Sequence, residues 1–317
     1  MRGGRHRRGA FAVLLAGLVG LLAACGGETD TGAAGGEGSL TVEHAQGSTS
    51  LEGTPERIVV FDLGVLETLD DLGVEGIVGV PEVANLPEHL GEYASDDYTK
   101  VGSLKEPDFE QVNALEPDLI IVAARSAPAY GELSEIAPTV DLSVDTTNFL
   151  ASATERIETL GELFGKEDAV RDRLDALAAK AEEVASSGAG DRTGLVVLTT
   201  GGKLSAYGPG SRFGIVYDNL GVKPAVEGLS ADTHGDAISS EFIAEANPDL
   251  LFVIDRDSAI GEAGESAKQV LDNALVNGTT AAEQGGIVYL DPTRWYLTSN
   301  GLPSLEAMVT AVGDSVA

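Results

Sequence analysis

One motif occurs twice in this chain, and the duplication constrains the fold more than any other feature. Glu110-Gln-Val-Asn-Ala-Leu-Glu-Pro117-Asp118-Leu119-Ile120 leads on to Arg125, and Glu241-Phe-Ile-Ala-Glu-Ala-Asn-Pro248-Asp249-Leu250-Leu251 leads on to Arg256. In both copies Glu stands seven residues before Pro, and Arg eight residues after it. Each copy predicts a short helix, a Pro-Asp stop, a buried strand and a cation just past the strand's C-terminal end. An internal repeat of this kind predicts two similar α/β lobes with a site between them.

The rest of the chain fits that plan. Residues 58–61, 76–80 and 139–143 read as strands, with a short helix at 64–72 closed by Gly73. Residues 194–199 open the second lobe, 248–255 and 286–290 follow as strands, and 303–316 is a C-terminal helix. Alternation of strand and helix predicts mostly parallel sheets covered by helices. An amphipathic helix at 151–164 stops at Gly165. Residues 167–184 then place Val170, Leu174, Leu177, Ala178, Ala181 and Val184 on one face of a helix about 30 Å long. This long helix is read as the link between lobes; one more packed surface helix is the competing reading. A stiff link predicts small lobe movement. The expected fold is therefore α/β, two Rossmann-like lobes with mostly parallel sheets joined by a single long helix. Its boundaries are 41–165 for the N-terminal lobe, 166–187 for the connecting helix and 188–317 for the C-terminal lobe.

Ahead of the lobes lies a different kind of sequence. Arg2, Arg5, Arg7 and Arg8 precede an apolar stretch at 10–24, too short to span a bilayer with comfort, and Leu22-Ala-Ala-Cys25 resembles a bacterial lipobox. Residues 1–24 are then a lipoprotein signal peptide and Cys25, the single cysteine, the lipidated residue. An ordinary signal peptide or an uncleaved anchor with an incidental cysteine is the lesser alternative. Residues 25–40, rich in Gly and small polar residues, read as a flexible tether. The expected location is extracytoplasmic, lipid-anchored to the outer face of the cytoplasmic membrane.

Charge narrows the partners. Lys and Arg total 20 against 51 acids, a net −31, and removing the four N-terminal Arg leaves 16 − 51 = −35. Such a surface repels nucleic acid and anionic bilayers. Nine Arg and seven Lys remain beyond residue 25. Arg125 and Arg256 follow two strand ends, where open α/β sheets bind ligands. Arg212 lies in the glycine-rich Tyr207-Gly-Pro-Gly-Ser-Arg-Phe-Gly214 loop, read as leading into a helix that ends at Gly221, whose N-terminus favours an anion. Lys105 lies just before the first repeat. With facing lobes these four converge on one cleft, and global repulsion is screened beyond about 8 Å in physiological salt. The competing reading pairs each Arg with one of the many acids.

Glu110 and Glu241 sit two positions inside helices capped by Asp108 and Ser239. A first-turn carboxylate is favourable through the helix dipole alone, so the residues leave that role and partner docking equally open. His234 has no metal-ligand spacing to His44 or His89, which disfavours a closed metal site of several His and carboxylates. Tyr296 follows Trp295 after the last strand, as core or as cleft wall. Enzyme motifs are missing: no G-x-S-x-G, no P-loop and no dinucleotide fingerprint after a strand.

Taken in order, Gly102-Ser-Leu-Lys-Glu-Pro-Asp-Phe-Glu110, Pro117-Asp-Leu-Ile-Ile, the Tyr207–Gly214 loop, His234-Gly-Asp-Ala-Ile-Ser and Trp295-Tyr-Leu resemble the periplasmic-binding-protein family of iron–siderophore ABC importers. Within it they look like the catecholate branch that handles enterobactin-, bacillibactin- or petrobactin-type ligands. The resemblance spans residues 41–317. It implies a non-enzymatic binder with no cofactor, whose ligand is an Fe(III)–siderophore complex held by Lys105, Arg125, Arg212 and Arg256. His234 and Tyr296 resemble the pair that completes iron coordination when the siderophore leaves its shell incomplete. Glu110 and Glu241 look like the carboxylates that dock on the two permease subunits, which work with a cytoplasmic ATPase. The working unit is expected to be a monomer. The alternatives are another iron chelate (a ferric hydroxamate or haem), a corrinoid, and, more remotely, an anchored envelope enzyme.

Overall fold

The computed structural model describes residues 39–317; the signal peptide, Cys25 and nearly all of the tether lie outside the described residues. An antiparallel hairpin comes first, β1 (Ser39–His44) and β2 (Gly47–Glu52). It begins two residues before the expected lobe boundary at 41, because Ser39 and Leu40 pair with Glu52 and Leu51. Alternation along the hairpin sends Val42 and Leu51 into the core.

The first sheet is formed by β3 (Ile58–Val60), β4 (Ile77–Val80), β5 (Thr99–Lys100), β6 (Leu119–Val122) and β7 (Thr139–Asp141), in the order β5-β4-β3-β6-β7. All its pairings are parallel. The central strands β3 and β6 are buried on both faces, as their unbroken apolar runs require. The second sheet is formed by β8 (Thr193–Thr200), β9 (Lys203–Tyr207), β10 (Lys223–Pro224), β11 (Asp236–Ile238), β12 (Leu250–Asp255) and β13 (Ile287–Tyr289), in the order β11-β9-β8-β12-β13, with β10 paired to β8. Its β8, β10, β12 and β13 are parallel, while β9 and β11 form an antiparallel edge.

The duplicated motif has the same anatomy in both sheets. Helices Phe109–Ala114 and Ser240–Ala246 precede β6 and β12. Asp108 caps the first by accepting from Gln111 N at 3.1 Å, and Ser239 caps the second by accepting from Phe242 N at 3.4 Å. Glu116 and Asn247, each just before the proline, take left-handed backbone with φ of 45° and 40° and turn the chain from helix to strand. The following aspartates then staple the neighbouring central strand. Asp118 accepts from Glu56 N (2.8 Å) and Arg57 N (2.9 Å) ahead of β3, and Asp249 accepts from Thr193 N and Oγ1 (both 2.8 Å) at the start of β8.

Every strand of the first sheet precedes the long helix Glu167–Ser186, and every strand of the second follows it. Val170, Leu174, Leu177, Ala181 and Val184 form its buried stripe, within one cluster with Val309, Val312 and Val316 of the C-terminal helix Leu302–Val316. Ala178, expected on that stripe, is exposed, because the stripe follows an alternating 4-3 spacing that passes it by. Arg173 of the long helix pairs with Asp71 of helix Leu63–Asp71 and with Glu306 of the C-terminal helix.

A second tie runs behind the cleft. Helix Leu63–Asp71 meets the segment that enters the C-terminal helix so closely that a Cβ on Gly64 would overlap Asn300 and stand 2.8 Å from Gly301 N. Asn300 Nδ2 donates to Asp62 (2.9 Å), Leu302 N to Thr68 Oγ1 (3.0 Å), and Ser304 N and Oγ to the Glu67 carboxylate (3.2 and 2.9 Å). Glu67 is buried and also meets His89 Nε2 at 2.7 Å and Arg294 Nη1 at 3.4 Å.

Candidate functional site

The C-terminal ends of β6, β8 and β12 open on a cleft of about 810 Å³. Lys105, Arg125, Arg212, His234, Arg256 and Tyr296 all line it. The sequence places them up to 191 positions apart, and the two facing sheets bring them together.

Tyr296 is the hub. It ends the one-turn helix Pro292–Tyr296, which is capped by Asp291 accepting from Thr293 N (2.9 Å) and Arg294 N (3.0 Å) and anchored by the buried Trp295. Its carbonyl oxygen accepts from Arg125 Nη2 at 3.0 Å and from Arg212 Nη2 at 3.1 Å. Its phenol oxygen accepts from Arg256 Nε at 3.0 Å. The three guanidinium carbons lie 5.3, 4.7 and 5.7 Å from its ring centroid, within cation–π range. Burial opposes ionisation of this phenol. The Arg256 hydrogen bond and the three nearby positive charges outweigh burial and hold its pKa below the ordinary tyrosine value.

Local backbone explains how each cation arrives. Arg125 follows Ala124, whose φ of 42° is the strained left-handed region, held by a hydrogen bond from Ala124 N to Ser143 Oγ at 2.8 Å. Arg256 directly follows β12 and starts a short helix, Arg256–Ile260. Arg212 lies over the Phe213 ring at 4.8 Å. Burial, and then the charge of Arg125, lower its pKa, yet a guanidinium retains its proton throughout the physiological range.

The glycine-rich loop differs from expectation. The helix after it is a single turn, Ile215–Asp218, rather than one running to Gly221. Two of the loop's backbone N–H groups are spent internally: Gly210 N donates to Asp218 Oδ2 (2.8 Å) and Gly214 N to Ser211 O (2.8 Å). The loop contributes Arg212 to the cleft lining.

Among the described residues neither Arg125 nor Arg212 forms an ion pair with an acid, whereas Arg256 shares Asp257 and Glu262, each at 3.4 Å. Asp62 is the one acid in the lining, and it is occupied by Gly64 N, Val65 N and Asn300. Four cations and one acid give the lining a formal charge of 4 − 1 = +3 with His234 neutral, inside a protein of net −31. Lys105 and His234 are the exposed members, on loops at the rim. Gly235, at φ 64°, lets the His234 loop lie on β9, since a Cβ there would stand 2.6 Å from Ala206 O. Among the described residues no group of three or more His, Cys, Asp or Glu is arranged to hold a metal ion.

Tyr207, Thr200, Asp62 and Asn300 also line the cleft and were not singled out from sequence. Asp62 is the N-cap of helix Leu63–Asp71, a position that does carry a capping signal. Glu110 and Glu241 lie outside the cleft lining and are exposed. Each helix runs antiparallel to the parallel strand that follows it. Its N-terminus therefore lies at the sheet edge where the cleft opens, and one carboxylate per lobe borders that edge.

Known proteins share this fold. The family model described as periplasmic binding protein matches residues 58–293. The petrobactin-binding protein YclQ of Bacillus subtilis is 42% identical over 314 residues, 96% of this chain and 98% of its own. Its crystal structure matches with a TM-score of 0.83, covering 88% of this chain and 98% of that one. The ferric-anguibactin-binding protein FatB of Vibrio anguillarum is 34% identical over 86% of each chain. The crystal structure of VctP, a periplasmic catecholate-siderophore binding protein of Vibrio cholerae, is 35% identical with a TM-score of 0.82 over 86% of this chain and 99% of its own. On this footing the chain belongs to the periplasmic-binding-protein family.

Proposed function

We propose that this protein is the extracytoplasmic binding component of a ferric-siderophore ABC importer, and that its cargo is an anionic ferric catecholate. The observation that carries this reading is the fan of three guanidinium groups from both lobes around Tyr296, two of them without an acid partner among the described residues. A ferric tris-catecholate is a trianion with flat aromatic rings. The lining offers a matching formal charge, and guanidinium planes both hydrogen-bond and stack on such rings. The relatives that bind petrobactin, ferric anguibactin and catecholate siderophores support the same class of cargo.

Lys105, Arg125, Arg212 and Arg256 hold the complex in this reading. When the siderophore leaves iron sites open, His234 and the Tyr296 phenolate complete them; a hard Fe(III) ion favours a phenolate oxygen. No bond of the cargo is broken, so the protein acts as a binder and needs no cofactor. Glu110 and Glu241 meet cations on the permease, and the lipid on Cys25 keeps the loaded monomer near it.

The test uses protein lacking residues 1–25. Trp295 is the only tryptophan and adjoins Tyr296, so a ferric catecholate seated in the cleft quenches its fluorescence. Saturable quenching by ferric catecholates, at concentrations where ferric hydroxamate, haem and corrinoid give none, is the expected result. Tight binding of one of those instead, with no catecholate response, removes the cargo assignment.

A further inference from the structure

Three large apolar side chains are exposed among the described residues: Phe109, Leu275 and Tyr289. Tyr289 is partnered, with the Lys268 amine 5.1 Å from its ring centroid. The other two accompany the duplicated carboxylates. Phe109 is the chain neighbour of Glu110, and it is 39% exposed at the first position of its helix. Leu275, 42% exposed, lines with Glu241 a recess of about 870 Å³ walled also by Val270 and Ile238. One exposed apolar side chain means little by itself. Here each lobe sets one beside an exposed carboxylate, on the edge where the cleft opens, and among the described residues neither carboxylate forms an ion pair.

We propose that Phe109 and Leu275 are apolar anchors for the importer's permease, which presents at each lobe a cation next to an apolar side chain. This rests on the reading of Glu110 and Glu241 as docking residues and adds what those carboxylates lack. Exposed ion pairs contribute little in water and are screened by salt, so two of them make a weak dock. Stable interfaces place apolar contact at the centre and charge at the rim. In the C-terminal lobe Lys203 also lines the recess and offsets the charge of Glu241, so recognition there falls chiefly on Leu275 and its apolar neighbours.

The experiment measures docking of the full-length, ferric-catecholate-loaded protein onto the permease–ATPase complex in nanodiscs, at low and at high salt. Phe109→Ser and Leu275→Ser are each expected to weaken docking about tenfold, equally at both salt concentrations. Glu110→Gln and Glu241→Gln are expected to lose affinity mainly at low salt. Siderophore binding by all four variants stays unchanged and reports that they fold. If the serine variants dock as well as the parent while the glutamine variants do not, the anchors are wrong and the docking carboxylates stand. If none of the four weakens docking, both readings fall.

Discussion

Two of the places where the lobes meet, the cleft and the seam behind it, have opposite chemistry. At the cleft, positive groups gather without acids to match them: Arg125 and Arg212 share one carbonyl oxygen and have no ion pair among the described residues. At the seam behind it a carboxylate, Glu67, is buried and fully met by Ser304, His89 and Arg294. The cleft is left electrostatically unfinished and the seam is complete. In the proposed function a ligand trianion finishes the first, while the groups around Glu67 complete the second from within the protein. Cleft substitutions should therefore change affinity and spare stability, and seam substitutions should do the reverse.

Arg212→Ala gives the sharpest break. It is expected to weaken ferric-catecholate binding by over a hundredfold, about 3 kcal/mol, by titration, since it removes a largely desolvated charge-assisted contact. Its melting temperature should hold or rise, because the variant relieves repulsion with Arg125. A parallel fall in stability would make Arg212 a structural residue.

The seam should show in the pH dependence of unfolding. Burial is the main cause that pushes the Glu67 pKa from 4.5 to about 7, against the hydrogen bonds of Ser304 and the charge of Arg294. The folded protein then keeps a proton that the unfolded chain releases, so this group's contribution falls as pH rises from about 4.5 to 7, by at most about 3 kcal/mol. His89 acts in the other sense, because burial lowers its pKa and favours the folded state as pH rises towards 6.5. Denaturant melts of the parent and of Glu67→Gln, compared across this range, isolate the Glu67 share. Asp70, Asp291 and Arg294 remain in both proteins. A parent-minus-variant difference that does not fall with pH contradicts the seam account.

Gly64→Ala tests the seam by shape alone. The added methyl meets Asn300 and Gly301, and a loss of about 2 kcal/mol in urea unfolding is expected, with siderophore affinity changed only slightly. The smallest effect separates the two repeat arginines. Arg256 already shares Asp257 and Glu262, so Arg256→Ala should cost about tenfold in affinity, and Glu262→Gln should gain a few-fold. Equal losses at Arg125 and Arg256 would mean that these acids do not matter.

The repeat was the most legible part of the chain. Pro-Asp after a capped helix and before an apolar run encodes its anatomy locally, and the rule that ligands bind at strand C-terminal ends then brings Arg125 and Arg256 to one cleft. The Tyr296 carbonyl was not legible, since a main-chain acceptor leaves no mark on residue type. Nor was the seam: Glu67 and Ser304 lie 237 positions apart, and neither residue announces the other. The hairpin β1–β2 is not legible in the sequence because its Ser- and Thr-rich strands adjoin a stretch of similar composition. Gly221 is a misleading stop signal, because the helix after the glycine loop closes after one turn, Ile215–Asp218.

In the proposed function, cations from both lobes surround a single ferric complex. Crystals grown with ferric catecholate and measured at the iron absorption edge locate the metal directly. An anomalous peak in the cleft, with catecholate oxygens on Arg125, Arg212 and Arg256, is the predicted result. Iron found outside the cleft, or a cleft that keeps its arginines on Tyr296 and excludes the complex, would contradict it.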